Sequence, residues 1–161
     1  MTSELHRPLP ADRIGALGLE FTVEATAAEC AALARRMDLP GVLALRCDFR
    51  LVRLTTDCIL AEGHLRAKVM QTCVVSLDDF AAEVDERFRI HFVPAGQESD
   101  DPDPETEDEI GYTGVMLDLG EAAAEQLGLA LDPYPRAPGA ELPEIAQDED
   151  AHPFAALRRR H

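Results

Sequence analysis

Tryptophan is absent from these 161 residues, and the other aromatics amount to two tyrosines and six phenylalanines. Recognition of single-stranded RNA by stacking bases on aromatic rings therefore has few side chains to work with, and the phenylalanines fall mostly in apolar phase. Positive charge is scarce as well. Fifteen lysines and arginines stand against 31 aspartates and glutamates, a formal net charge of −16. Because Lys and Arg neutralisation of phosphates supplies most nonspecific nucleic-acid affinity, a uniform surface of this composition would repel RNA. No apolar run is long enough to span a bilayer, and no charged start leads into an apolar stretch of the signal-peptide kind, so a cytoplasmic location is expected. The four cysteines, Cys30, Cys47, Cys58 and Cys73, are singly placed. Reduced thiols are then expected rather than disulfides, and a four-thiolate metal site would need all four to converge from distant segments, so no metal is expected.

The usual catalytic patterns are missing too. There is no phosphate-cradling glycine loop, no Gly-x-Ser-x-Gly and no dinucleotide fingerprint. His6, His64, His91, His152 and His161 are scattered without a metal-binding spacing. Cys73 has no evident histidine beside it to lower its thiol pKa, so it reads as a strand-end cysteine packing with Val74 and Leu77 rather than as a nucleophile. No enzyme and no cofactor is expected.

What the chain does contain is periodicity, in a length that suits one domain. Leu19, Phe21 and Val23 alternate with polar residues as a strand does, and Thr26 with Glu29 forms a Thr-x-x-Glu capping box at the start of a helix carrying Cys30, Leu33, Ala34 and Met37. Leu39-Pro40-Gly41 ends it. Val42 to Leu54 and Cys58 to Met70 read as two strands around Thr55-Thr56-Asp57, with Leu43, Leu45, Cys47, Phe49 and Leu51 on one face of the first. Ile59, Ala61, Leu65, Ala67 and Val69 share a face of the second. After a connection at Ser76 to Phe80, Val84, Phe88, Ile90 and Phe92 mark a third long strand over Glu83 to Val93, with Asp85, Arg87, Arg89 and His91 in the opposite phase. Asp118 starts a second helix with Leu119, Ala122, Ala123, Leu127, Ala130 and Leu131 on one stripe. Prolines 133, 135, 138 and 143 then exclude regular structure.

Charge is unevenly placed. Glu98 to Glu109 carries eight carboxylates and two prolines without an apolar pattern, which reads as an acidic loop, and Glu141 to Asp150 is a second acidic run. On the polar face of the second long strand lie Glu62, His64, Arg66 and Lys68. Hairpin pairing would bring Arg46 and Arg50 to the same side, making Arg46, Arg50, Arg66 and Lys68 a candidate patch for phosphate or an acidic partner. Mixed charge on an exposed strand is also what an ordinary solvated face carries.

The order of short motifs adds a family resemblance. Gln71-Thr72-Cys73-Val74-Val75 with Leu77 and Phe80, then Phe88, Phe92 and Pro94, then Leu117-Asp118-Leu119-Gly120-Glu121 running into Leu127 to Pro135, and the ending Pro153-Phe154-Ala155-Ala156-Leu157 together resemble the YceD family. That family is the large ribosomal RNA subunit accumulation proteins, also known as the domain of unknown function DUF177. The resemblance implies a noncatalytic role in accumulation of large-subunit (23S) ribosomal RNA and hence in ribosome biogenesis, with no catalytic residues to carry over. Many members place a second cysteine three residues before the position of Cys73. Here it is Met70, and a thioether is a poor zinc ligand.

These readings give an α+β domain over residues 19–135, with an antiparallel sheet of about four strands and one or two covering helices. A flexible lead-in at 1–18, an acidic loop at 97–109 and a flexible C-terminal tail at 136–161 surround it. Two routes to function follow. In the first, Arg46, Arg50, Arg66 and Lys68 contact ribosomal RNA or a precursor particle while the acidic loop limits nonspecific binding. In the second, the acidic residues engage a basic ribosomal protein and the chain serves as an adaptor or chaperone.

Overall fold

The structure, a computed structural model, describes residues 3–98 and 107–141; the centre of the expected acidic loop and the tail beyond 141 lie outside the described residues. In chain order the elements are β1 (Pro8–Pro10), a 3-10 turn (Ala11–Arg13), β2 (Leu19–Glu24), α1 (Ala27–Arg36), β3 (Gly41–Arg53), β4 (Ile59–Thr72), β5 (Asp79–Pro94), β6 (Asp108–Tyr112), β7 (Met116–Asp118) and α2 (Leu119–Ala130). The alternating stretches pair antiparallel in the order β2-β3-β4-β5, and β6 adds to the edge in parallel with β5. The fold is α+β, with five strands in the main sheet rather than about four, and a separate β1-β7 ribbon. The additional strands were not visible in the sequence because β6 starts within the acidic stretch and is only five residues long, while β1 and β7 have three each.

One face of the sheet is apolar. Cys47, Phe49 and Leu51 of β3, Ile59, Ala61, Leu65 and Val69 of β4, and Ile90 and Phe92 of β5 join Leu33 of α1 and Leu119, Ala123 and Leu127 of α2 in a single core. Both helices thus cover the same face, and among the described residues no helix covers the other. Phe49 and Phe88 meet edge to face across Gly63, with ring centroids 5.8 Å apart. The apolar phase of β3 departs from expectation at its start: a bulge between Val42 and Ala44 sends Val42 inward and leaves Leu43 exposed. A one-residue insertion reverses side-chain direction, which a strict alternation cannot anticipate.

Residues 5–14, part of the stretch expected as a flexible lead-in, are packed instead. Leu5, Leu9, Ala11 and Ile14 are buried, and β1 pairs with β7 in front of α2. Arg7 locks this segment to α1. Its guanidinium donates to both carboxylate oxygens of Glu29 at 2.8 and 2.9 Å and to the Glu24 carbonyl at 2.9 Å. Glu29 also closes the expected capping box, accepting from the Thr26 amide while the Thr26 hydroxyl accepts from the Glu29 amide. The Arg7 pairing and the Thr26 amide hold the Glu29 carboxyl down at about 2, from an ordinary 4.5. A depressed carboxyl stabilises the fold fully above its unfolded pKa and loses that contribution as pH falls toward the folded value. Arg7→Ala should therefore cost about 1.5–3 kcal/mol at neutral pH, as expected for hydrogen bonds to a charged group, and the deficit should shrink between pH 4.5 and 2. Urea unfolding of both proteins across that range checks it.

The start of α2 follows the sequence in part. Asp118 caps it, accepting from the amides of Gly120 and Glu121 at 3.1 and 3.2 Å, and from the Arg7 amide at 2.9 Å. Glu121 does not return to close a box. It turns to Arg36 of α1, with bonds of 2.7 and 3.0 Å that tie the two helices together.

A candidate interaction face on the open side of the sheet

The open side of the sheet holds the four cationic residues singled out in the sequence. Arg46 lies directly across from Arg66, Arg50 across from Glu62, and Lys68 across from Ala44, all in the outward phase of β3 and β4. The same phase continues into β5, so Glu83 faces Lys68, Asp85 faces Arg66, Arg87 faces His64 and Arg89 faces Glu62. On the other side, Glu20 and Glu24 of β2 stand opposite Arg50 and Arg46.

The expected basic patch is thus a checkerboard. Arg46 and Arg66, which would otherwise repel, converge on Asp48, whose oxygens lie 3.3 Å from Arg46 Nη2 and 2.8 Å from Arg66 Nη2. The Thr22 hydroxyl donates to Asp48 at 2.8 Å and, with Arg46 and Arg66, holds the Asp48 carboxyl at about 2. Arg89 Nε lies 3.5 Å from Glu62 and its Nη1 3.0 Å from Glu107, which also takes His91 Nδ1 at 3.1 Å. His64 Nε2 meets Asp85 at 2.7 Å. Arg50, Lys68 and Arg87 have no ion pair with a described residue. Glu62 and Asp85 of this lattice are legible in the sequence as outward residues of their strands, and Asp48 shares the phase of Arg46 and Arg50.

The surface between these side chains is concave. A cleft of about 910 Å³ lies over the middle of the sheet, lined by Glu20, Asp48, Arg50, Glu62, His64 and Arg89 among others. A second groove of about 610 Å³ lies toward the bulge. Among the described residues there is no group of three His, Cys, Asp or Glu side chains placed to hold a metal ion.

The family-motif residues cluster elsewhere, at the turn from β4 to β5. Gln71 is buried and its amide nitrogen donates to the Asp132 carbonyl at 3.3 Å; Thr72 donates to Asp79 at 2.7 Å. The Val74 amide donates to the Pro135 carbonyl at 2.9 Å, so the turn anchors the chain that leaves α2. Phe80 stands opposite Gln71, Phe88 opposite Gly63 and Phe92 opposite Ile59, and Pro94 closes β5. Leu77 sits exposed at the turn with a positive φ of 62°. Asp79 and Phe80 already belong to β5, so the connection is shorter than the sequence suggested.

Cys73 is where the sequence reading was incomplete. No histidine flanks it, but the Ser76 hydroxyl and the amides of Ser76, Ala137 and Val75 lower its thiol to about 6. The Ser76 amide lies 3.4 Å from the sulfur. Cys73 is buried, and its turn is tied to the 135–137 segment by the Val74 amide bond to the Pro135 carbonyl. Backbone donors folded over a thiol leave no sequence signature.

The family model described as Large ribosomal RNA subunit accumulation protein YceD matches residues 61–158, more than half of the chain. The match takes in Arg66, Lys68, the Cys73 turn and everything from β5 through α2, and begins after Arg46 and Arg50. Neither the curated proteins nor the solved structures include a match.

Proposed function

The chain belongs to the YceD family, whose name ties it to accumulation of large-subunit ribosomal RNA, and from that premise we propose that it is a noncatalytic adaptor for a basic protein of the large ribosomal subunit. The observation that carries this reading is the checkerboard on the open face of the sheet. A polyanion laid across it would meet Glu20, Glu62, Glu83 and Asp85 wherever it met an arginine. Two of the four expected phosphate contacts are also weakened, since Arg46 and Arg66 are already paired with Asp48, and the chain carries a net charge of −16. A basic protein finds the opposite: a surrounding field that attracts it and an alternating face that fixes its register. Holding such a protein soluble until it reaches the ribosomal precursor would support accumulation of the RNA it protects.

Direct RNA contact remains the second reading. It is favoured by Arg50, Lys68 and Arg87, which have no ion pair with a described residue. Neutralising Glu98, Asp100, Asp101, Asp103 and Glu105 with Gln or Asn separates the two. An adaptor should bind individually purified basic large-subunit proteins on the order of tenfold more weakly after loss of this steering charge, while an RNA binder should gain affinity for large-subunit RNA fragments. Equilibrium binding at one fixed salt concentration reads both.

A further inference from the structure

The longest strand of the sheet is only partly used. β6 pairs with the last residues of β5, Ile90 to Pro94, and Asp108 opposite Ile90 marks where that pairing begins. From Asp79 to Arg89 β5 pairs with β4 throughout, yet its other edge has no strand partner among the described residues. An open edge of this length offers a row of backbone donors and acceptors to any extended chain. Phe80, Ala82, Val84, Glu86 and Phe88 lie in the phase of the buried core. The first three border a groove of about 240 Å³ with Leu131 and Pro135 from the chain leaving α2. Glu83, Asp132 and Arg136 also line it, and Lys68 stands opposite Glu83, so two cations meet two carboxylates and the rim selects neither sign. Glu86 is different. It stands opposite the buried Leu65, between Gly63 and Ala67 on β4, and no Lys or Arg of β4 or β5 shares its row. Its side chain is exposed and has no ion pair with a described residue.

A carboxylate in the apolar row of an open edge rejects an all-apolar strand and accepts one that brings a cation opposite it. A second copy of this chain does not qualify. Two-fold antiparallel pairing of the edge with itself opposes Asp79 to Asp85, Glu83 to itself, Glu83 to Asp85, Asp85 to itself or Glu86 to itself as its centre moves from Ala82 to Glu86. Each of these registers sets like charges face to face. Nucleic acid has no ladder of alternating N–H and C=O groups to pair with the edge. We propose that the Asp79–Arg89 edge of β5 takes an extended segment of a protein partner as an added antiparallel strand, with Lys or Arg opposite Glu86 and apolar residues opposite Val84, Ala82 and Phe80. The inference rests on the adaptor reading for the source of that segment and specifies its pattern: a Lys or Arg followed by apolar residues two, four and six positions later.

The test is an amide-shift titration of the full-length, nitrogen-15-labelled chain with three capped peptides. They are Val-Thr-Lys-Thr-Ile-Thr-Val-Thr-Ile, the same peptide with Glu for Lys, and Val-Thr-Thr-Lys-Ile-Thr-Val-Thr-Ile, which moves the lysine to the outward row. The first should shift the amides from Phe80 to Arg89 and slow the hydrogen exchange of those that point away from β4. It should bind about fivefold more tightly than either of the others, the scale of one cross-strand charge pair. Glu86→Gln, at an exposed position, should erase the preference, and Glu86→Lys should turn it toward the glutamate peptide. No binding by any of the three, equal binding of all three, a preference that survives Glu86→Gln, or shifts away from β5 would each overturn the proposal. Movement of the same amides with protein concentration alone, or with a short oligouridine, would overturn it too. Purified basic large-subunit proteins separate the edge from the adaptor reading. If they bind the chain and the Glu86→Lys variant equally well, the edge proposal fails while the adaptor reading stands. If they bind neither, while the lysine peptide docks as described, the adaptor reading fails and the edge stands.

Discussion

Replacing Gly120 with alanine should destabilise the protein by about 2–3 kcal/mol, although alanine is the better helix former by about 1 kcal/mol. A Cβ at this position in α2 would lie 2.3 Å from the Leu5 carbonyl oxygen, 2.7 Å from its carbon and 3.0 Å from the Arg7 nitrogen. Main chain cannot swing aside as a flexible side chain can, so the packed lead-in must lift. Lifting it strains four things at once: burial of Leu5 and Leu9, the bond from the Leu119 amide to the Arg7 carbonyl, the Asp118 contact and the Arg7–Glu29 pair. Gly128 in the same helix supplies the control. A Cβ there meets nothing nearer than Met37 Cε at 4.0 Å, so Gly128→Ala should stabilise by about 0.5–1 kcal/mol. Opposite signs in urea unfolding would fix the lead-in as part of the folded core, and equal signs would show that it lifts without consequence.

The second large effect concerns the face itself. Exchanging Glu20, Glu62 and Glu83 for lysine changes only outward-facing side chains, so the core should be unaffected, and it makes the face predominantly cationic, with Glu24, Asp48, Asp85 and Glu107 as its remaining carboxylates. Affinity for a basic ribosomal protein should fall on the order of 100-fold or more, because each attractive pair becomes a repulsive one. Affinity for RNA should rise together with its salt dependence, as added lysines displace counterions from phosphates. Binding of both ligands by anisotropy at several salt concentrations measures this. A triple variant that keeps its affinity for the basic protein while gaining affinity for RNA would place the functional contact on the RNA side after all.

How much of this was readable beforehand depends on how local each feature is. The capping box at Thr26, the paired long strands and the α2 stripe follow from spacing within a few residues, and the structure carries all of them. The bulge at Val42/Ala44 is a single-residue event that inverts Leu43, and β6 is recruited by the β5 edge rather than by its own pattern. The packing of Leu5 and Leu9 is equally non-local, because Pro8 and Pro10 read as breakers until β7 supplies a partner. On the candidate face, strand phase correctly grouped Arg46, Arg50, Arg66 and Lys68, but the net character of a surface is set by all its residues. Asp48, Glu62, Glu83 and Asp85 in the same phase turn a patch of four cations into an alternating lattice.

The central claim is that the open sheet face meets a basic protein rather than RNA. Ultraviolet crosslinking of the tagged chain in cells tests it most directly, with sequencing of attached RNA and mass spectrometry of crosslinked protein from the same cells. The account predicts RNA at background level and one recurrent basic large-subunit protein, crosslinked through peptides of β3, β4 and β5. A focused peak on precursor large-subunit RNA, with no such protein, would contradict it.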